Sequence, residues 1–117
     1  MKYILAIMIS VVAAPSFGAV TFLETQIQRV YITDDSVFGG CMAKPKETIK
    51  RSLVSCKPGW VTFDCAGTLG GSKSMGQRKL DVATLAQLTG KRVSVLIDDS
   101  QTLNGYCLAD RIQIFPN

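Results

Sequence analysis

The stretch from Ser72 to Phe115 constrains the fold most. A segment with helical spacing of apolar residues runs straight into two long alternating segments joined by turn residues. Ser72 or Ser74 offers a hydroxyl N-cap, which predicts a helix over about 75–89. Gly90 stands where a left-handed C-cap belongs. From Lys91 to Ile97 the chain alternates, with Val93, Val95 and Ile97 on one face. Asp98-Asp99-Ser100 and Asn104-Gly105 read as the two ends of a hairpin loop. Tyr106 to Phe115 is then a last strand, with Leu108, Ile112 and Ile114 on one side, and Pro116 ends it. A helix followed by a long hairpin is half of a small barrel.

The predicted helix carries more apolar surface than one stripe needs. Leu80, Val82, Ala83, Leu85, Ala86 and Leu88 cover a wide arc. Either this is a surface helix with small apolar residues, or it packs on its own barrel and also against a second surface in an oligomer.

The upstream half supplies three further strands. Val20 to Ile32 is rich in β-branched and aromatic residues and reads as a first strand, with Glu24-Thr25 as a break. Thr33-Asp34-Asp35-Ser36 is turn chemistry. Val37-Phe38 opens a second strand that runs through Gly39-Gly40 to Ala43, the glycine pair marking a bulge or tight bend. Pro45 to Lys57 is a polar, basic loop or extended hairpin tip, and Pro58-Gly59 a turn. Trp60 to Cys65 alternates as a third strand, with Val61, Phe63 and Cys65 inward. Gly67 to Gly71 links it to the helix. The order β-β-β-α-β-β is that of a five-stranded OB-fold-like barrel. Two separate hairpins with a packing helix are the alternative, and they would leave open edges that closure removes.

The N-terminus reads as a targeting segment. A short basic start precedes the apolar run Ile4 to Ala14, which is shorter than the ~20 residues of a bilayer span. Ser16 and Gly18 stand at the small positions of a cleavage site. Residues 1–18 are therefore expected to be a signal peptide and 19–117 a single domain, beginning at Ala19 or Val20. No Cys follows the apolar run, so no lipid anchor is expected.

Four cysteines, Cys41, Cys56, Cys65 and Cys107, remain in this exported domain, and an even count implies two disulfides. The chain has no C-x-x-C pair and no histidine, which argues against a metal site. Thirteen Lys and Arg against nine Asp and Glu give a net charge of +4. The densest basic group is Lys44, Lys46, Lys50, Arg51 and Lys57: a solvated loop, or a face for an anionic partner. Export and scattered charge disfavour nucleic acid.

One constellation carries candidate binding chemistry. In an OB barrel, Asp34-Asp35-Ser36 would begin the loop between strands one and two. Asp98-Asp99-Ser100 would begin the loop between strands four and five, with Asn104 beside it. These acceptors suit the hydroxyl donors of a sugar. They would also suit Ca²⁺, and the plain alternative is that Asp, Ser and Asn are good turn residues. Trp60 and Tyr106 are further candidates: a sugar face can stack on an exposed indole, whereas a lone Trp after Pro-Gly more often caps a core edge. Without histidine no Ser-His or Cys-His nucleophile can be built. A carboxylate pair such as Asp64 and Asp110 is the only catalytic option, and solvent exposure or pairing with Arg111 is the simpler reading of both. No catalytic residue and no cofactor is assigned.

Ser72-Lys73-Ser74, Gln77 to Val82 and Leu85-Ala86-Gln87-Leu88-Thr89-Gly90-Lys91-Arg92-Val93, followed by a hairpin, resemble the end of the B subunits of bacterial A–B toxins, both cholera-type and pertussis- or subtilase-type. A cysteine pair flanking the second and third strands is closer to the subtilase-cytotoxin and typhoid-toxin branch. The resemblance implies a secreted or periplasmic OB-fold subunit that forms a homo-oligomer, a pentamer with helices lining its pore. It also implies a cell-surface glycan as ligand and an enzymatic A-type subunit as partner. No sugar-binding motif of the family matches residue by residue, and Cys56 and Cys107 have no counterpart in it. Four cysteines allow three pairings. Barrel topology favours Cys41–Cys65, across antiparallel strands two and three, and Cys56–Cys107, across parallel strands three and five. The expected function is carbohydrate binding without catalysis. The rival is a monomeric periplasmic or surface protein-interaction module, an inhibitor or assembly factor, using Lys44 to Lys57.

Overall fold

A computed structural model describes residues 18–34 and 36–116. Asp35, Asn117 and residues 1–17 of the leader expected over 1–18 lie outside the described residues. The elements are β1 (Val20–Ile32), β2 (Cys41–Pro45), β3 (Val61–Thr62), α1 (Lys73–Thr89), β4 (Arg92–Leu103) and β5 (Tyr106–Ile114). The strands close in the order β1-β2-β3-β5-β4, so the expected five-stranded barrel with one helix is present.

Closure depends on β1 serving two neighbours. Its first half, Val20 to Gln26, pairs antiparallel with β4, and its second half, Ile27 to Ile32, with β2. The strand does not break at Glu24-Thr25. Its irregularity is a bulge at Gln28, where Ile27↔Pro45 is followed by Arg29↔Lys44. One extra residue there bends the strand from one ladder into the other. The bulge is anchored from the helix, because Gln87 Nε2 donates to the Gln28 carbonyl at 3.2 Å.

Inside the barrel, Val93, Val95 and Ile97 of β4 meet Ile27, Ala43, Val61 and Phe63, all buried. The helix closes one side, packing across β1, β5 and β2 through Gly76, Leu80, Ala83 and Ala86. Ser72 is the N-cap, its hydroxyl accepting from Met75 N at 3.3 Å, and Gly90 ends the helix in the left-handed region. Leu85 and Leu88 lie on the outward face, 54% and 77% exposed. Val20 and Phe22 at the start of β1 are exposed as well.

Three expected elements differ. Val37 to Gly40 form a turn, and β2 begins only at Cys41. The alternation of Trp60 to Cys65 yields two ladder residues, and Thr62 and Asp64 are as buried as Val61 and Phe63. Their outer side is roofed by the 36–40 turn, where a Cβ on Gly39 would lie 2.6 Å from Thr62 Oγ1 and 2.9 Å from Leu103 Cδ1. Asp98-Asp99-Ser100 is not a turn: β4 runs on to Leu103, and Asn104-Gly105 alone makes the hairpin turn, both at positive φ. The residues between Asp98 and Thr102 bulge out, since Asp98 pairs with Leu108 and Thr102 with Cys107.

Both disulfides join the expected pairs, Cys41–Cys65 and Cys56–Cys107, each with Cα atoms 5.6 Å apart. The second ties the long loop before β3 to the start of β5. That loop is no hairpin. Ile49 and Val54 are buried in the core while Lys50 and Arg51 stay outside.

Candidate functional site

Tyr31 on β1 pairs with Met42 on β2, and Met42 with Thr62 on β3. Cys41 and Ala43 point into the core, so Met42 and Tyr31 face the outside of the barrel. Here the outer face is hollowed. Tyr31, Phe38, Met42, Trp60 and Tyr106 line a cleft of about 180 Å³. Two edge-to-face pairs shape it: Tyr31 and Trp60, with ring centroids 6.1 Å apart at 67°, and Phe38 and Tyr106, 5.7 Å apart at 71°. Such pairs are favoured by the ring quadrupoles and hold one another's orientation.

Each wall has a local cause. Phe38 is presented by the turn between β1 and β2, fixed where Thr62 Oγ1 donates to the Phe38 carbonyl at 2.7 Å. Tyr106 follows the Asn104-Gly105 turn, and Trp60 immediately precedes β3. The Lys57 ammonium sits 5.1 Å from the Tyr106 ring centroid, held there because Lys57 N donates to the Gly105 carbonyl at 2.8 Å. The cleft therefore lies over strands two and three, between the β1–β2 and β4–β5 loops. That is the face on which OB barrels receive oligonucleotides and oligosaccharides. Its volume is below the ~300–1,000 Å³ of an enclosed small-molecule site. It suits a ring laid on a platform. On the far side of Lys57 a wider, shallower hollow is lined by Arg51, Ser55, Cys56, Lys57 and Gly105.

Of the residues singled out in the sequence, Trp60 and Tyr106 line the cleft, and Asn104 lies in the β4–β5 turn two residues before Tyr106. Asp34 and Ser36 are exposed in the β1–β2 turn. The second acidic group is elsewhere and is occupied. Asp98 Oδ1 accepts from Ser100 N at 2.9 Å and from Ser100 Oγ at 2.6 Å. Asp99 accepts from Ala19 N at 2.6 Å and from Ser55 N at 2.8 Å. These side chains hold the β4 bulge, the start of β1 and the 46–58 loop together. Tyr31, Phe38 and Met42 carried no motif. What could have found them is register: with Cys41 inward, Met42 and its β1 partner must face outward.

Asp64 and Asp110 line a second hollow, of about 180 Å³, together with Lys79. Asp64 is buried, not exposed or Arg-paired. Its two oxygens accept from Thr68 N and Leu69 N, both at 2.8 Å, so it caps the loop leading to α1. Asp110 is exposed and lies 4.0 Å from Arg111. Burial pushes the Lys79 ammonium below the ordinary lysine range, and Asp110 and Asp64 act against that. Among the described residues no three Cys, Asp or Glu side chains gather in a way that could hold a metal ion. No helix among them is long and apolar enough to cross a membrane.

Comparison with family models, curated proteins and solved structures finds no match to this chain.

Proposed function

We propose that the chain is an exported, disulfide-stapled binding subunit that recognises carbohydrate on the aromatic cleft of Tyr31, Phe38, Trp60 and Tyr106. The cleft is the observation that carries this reading. Pyranose C–H faces are apolar and stack on aromatic rings, while the ring hydroxyls need polar partners at the edge, and the Lys57 ammonium over the Tyr106 ring supplies one. The two disulfides suit an oxidising compartment. The resemblance to toxin B subunits supports the same ligand class and an oligomer, in which Leu85 and Leu88 would be covered. An enzymatic A-type subunit belongs to the same reading.

Trp60 is the sole tryptophan, so its fluorescence reports on the cleft directly. A glycan array followed by fluorescence titration of the hits is expected to give saturable shifts that vanish in Tyr106→Ala, which keeps the Trp60 reporter, and the array hits themselves are expected to be lost in Trp60→Ala. An array without hits, on protein with both disulfides intact, removes the reading. A monomeric protein-binding module is the alternative favoured by the 46–58 loop, where Leu53 is half-exposed beside Arg51. Light scattering at micromolar concentration separates the two, since the module predicts a monomer.

A further inference from the structure

We infer that hydrolysis of the Gly18–Ala19 bond leaves an α-ammonium on Ala19 that docks on the Asp99 carboxylate and ties the start of β1 to the 46–58 loop. The inference rests on residues 1–18 being an export leader and is independent of what the cleft binds.

Three observations converge on this bond. Ser16 and Gly18 fit the small positions three residues and one residue before it. Cleavage one residue later would put Phe17 at the first of those positions, where a small side chain is required. The Ala19 nitrogen already lies 2.6 Å from Asp99 Oδ1, while the Ala19 carbonyl accepts from Asp99 N at 3.0 Å. Ala19 is thus held through both its backbone groups. The other Asp99 oxygen accepts from Ser55 N at 2.8 Å. Ser55 precedes Cys56 and Lys57, so one carboxylate links the first residue of the barrel to the loop whose lysine covers Tyr106.

In the precursor the Ala19 nitrogen is a neutral amide with one proton to give. A signal peptidase adds water across the bond: the Gly18 carboxylate leaves with the leader, and the released amine takes up a proton. The same nitrogen, without moving, becomes a charged donor opposite a carboxylate, and such charge-assisted bonds are about twice as strong as neutral ones. The pair is exposed, which keeps its contribution modest and sensitive to salt.

The test uses the full chain expressed with its leader and recovered after export. Intact mass and N-terminal sequencing are expected to show a chain starting at Ala19; a start at Val20, or a retained leader, overturns the inference. Transamination selective for the N-terminus replaces the ammonium by a ketone. It is expected to lower Tm by about 2–5 °C in dilute buffer and by less in 1 M salt. Asp99→Asn keeps the size and an acceptor for Ser55. It should lower Tm similarly, and transamination should then add nothing. An unchanged Tm after transamination, or additive effects of the two changes, overturns the docking even where cleavage occurs at Ala19.

Discussion

Asp64 sits 5% exposed at a positive φ of 54°, and both its oxygens receive backbone N–H groups. Removing a charged acceptor that satisfies two amides costs about 2–3 kcal/mol. Urea denaturation of Asp64→Ala is expected to show that loss. Asp64→Asn should lose less, since Asn tolerates this backbone region and still accepts one bond. An Asp64→Ala variant as stable as the parent would show that the loop to α1 does not need its cap. Glu47 makes a second residue-scale case. The hydroxyl of buried Thr25 bonds its carboxylate and holds it below the ordinary glutamate range. Burial opposes this, and its own backbone amide and Arg92, 3.7 Å away, assist. A depressed folded pKa contributes stability that is present above the unfolded value and is lost as pH falls through the folded one. Thr25→Val should therefore lower stability at pH 7, by about 1 kcal/mol, and narrow the gap from the parent below pH 4. An equal gap at both pH values would detach Glu47 from the effect. Neither role was legible in the sequence. Asp and Thr serve turns, strands and caps alike, and only the fold shows which backbone amides stand before them. The cysteines were legible because barrel topology leaves few ways for four of them to meet.

Elements were legible where one face is dry and the other wet. β4 alternates because its inner residues fill the barrel, and α1 begins and ends at residues whose capping chemistry is local. The reading of Trp60 to Cys65 failed for the opposite reason. The 36–40 turn and the start of α1 cover its outer face, so period-2 patterning cannot report which side is buried. Asp98-Asp99-Ser100 misled because a bulge, like a turn, calls for side chains that bond their own backbone. Gly76 marks how closely α1 approaches the Phe63–Cys65 backbone just after β3. A Cβ there would lie 2.9 Å from the Phe63 carbonyl oxygen and from the Cys65 Cα. Both are backbone atoms and cannot swing aside. Helix propensity favours Gly→Ala by ~1 kcal/mol, whereas overpacking costs ~1–3 kcal/mol. Gly76→Ala is thus expected to destabilise the protein, while Gly71→Ala, with open space around it, should be near neutral. A stabilised Gly76→Ala in thermal melts would mean that α1 can shift away from the barrel.

The closed barrel has its sparsest seam between β3 and β5. β4 and β5 share a long ladder, but β3 meets β5 through the single registered pair Thr62↔Leu108. The two disulfides bracket this seam. Cys41–Cys65 fastens the ends of β2 and β3, and Cys56–Cys107 fastens the approach to β3 onto β5. With sequence separations of 24 and 51, the chain-entropy account assigns them about 3.5 and about 4 kcal/mol. Those magnitudes approach the whole stability of a small domain. Backbone pairing at the seam is too sparse to replace them. The aromatic cleft straddles the same seam, with Trp60 on the β3 side and Tyr106 next to Cys107. Cleft and closure should therefore fail together and before the rest. In Cys56→Ala/Cys107→Ala, hydrogen exchange is expected to quicken first in β3 and the start of β5, while the β1–β4 ladder stays protected. Trp60 fluorescence should shift at a denaturant concentration below the far-UV transition. A single coincident transition, with uniform exchange, would show that the barrel unfolds as one unit and that the seam is held by packing around Phe63 rather than by the sulfur bridges.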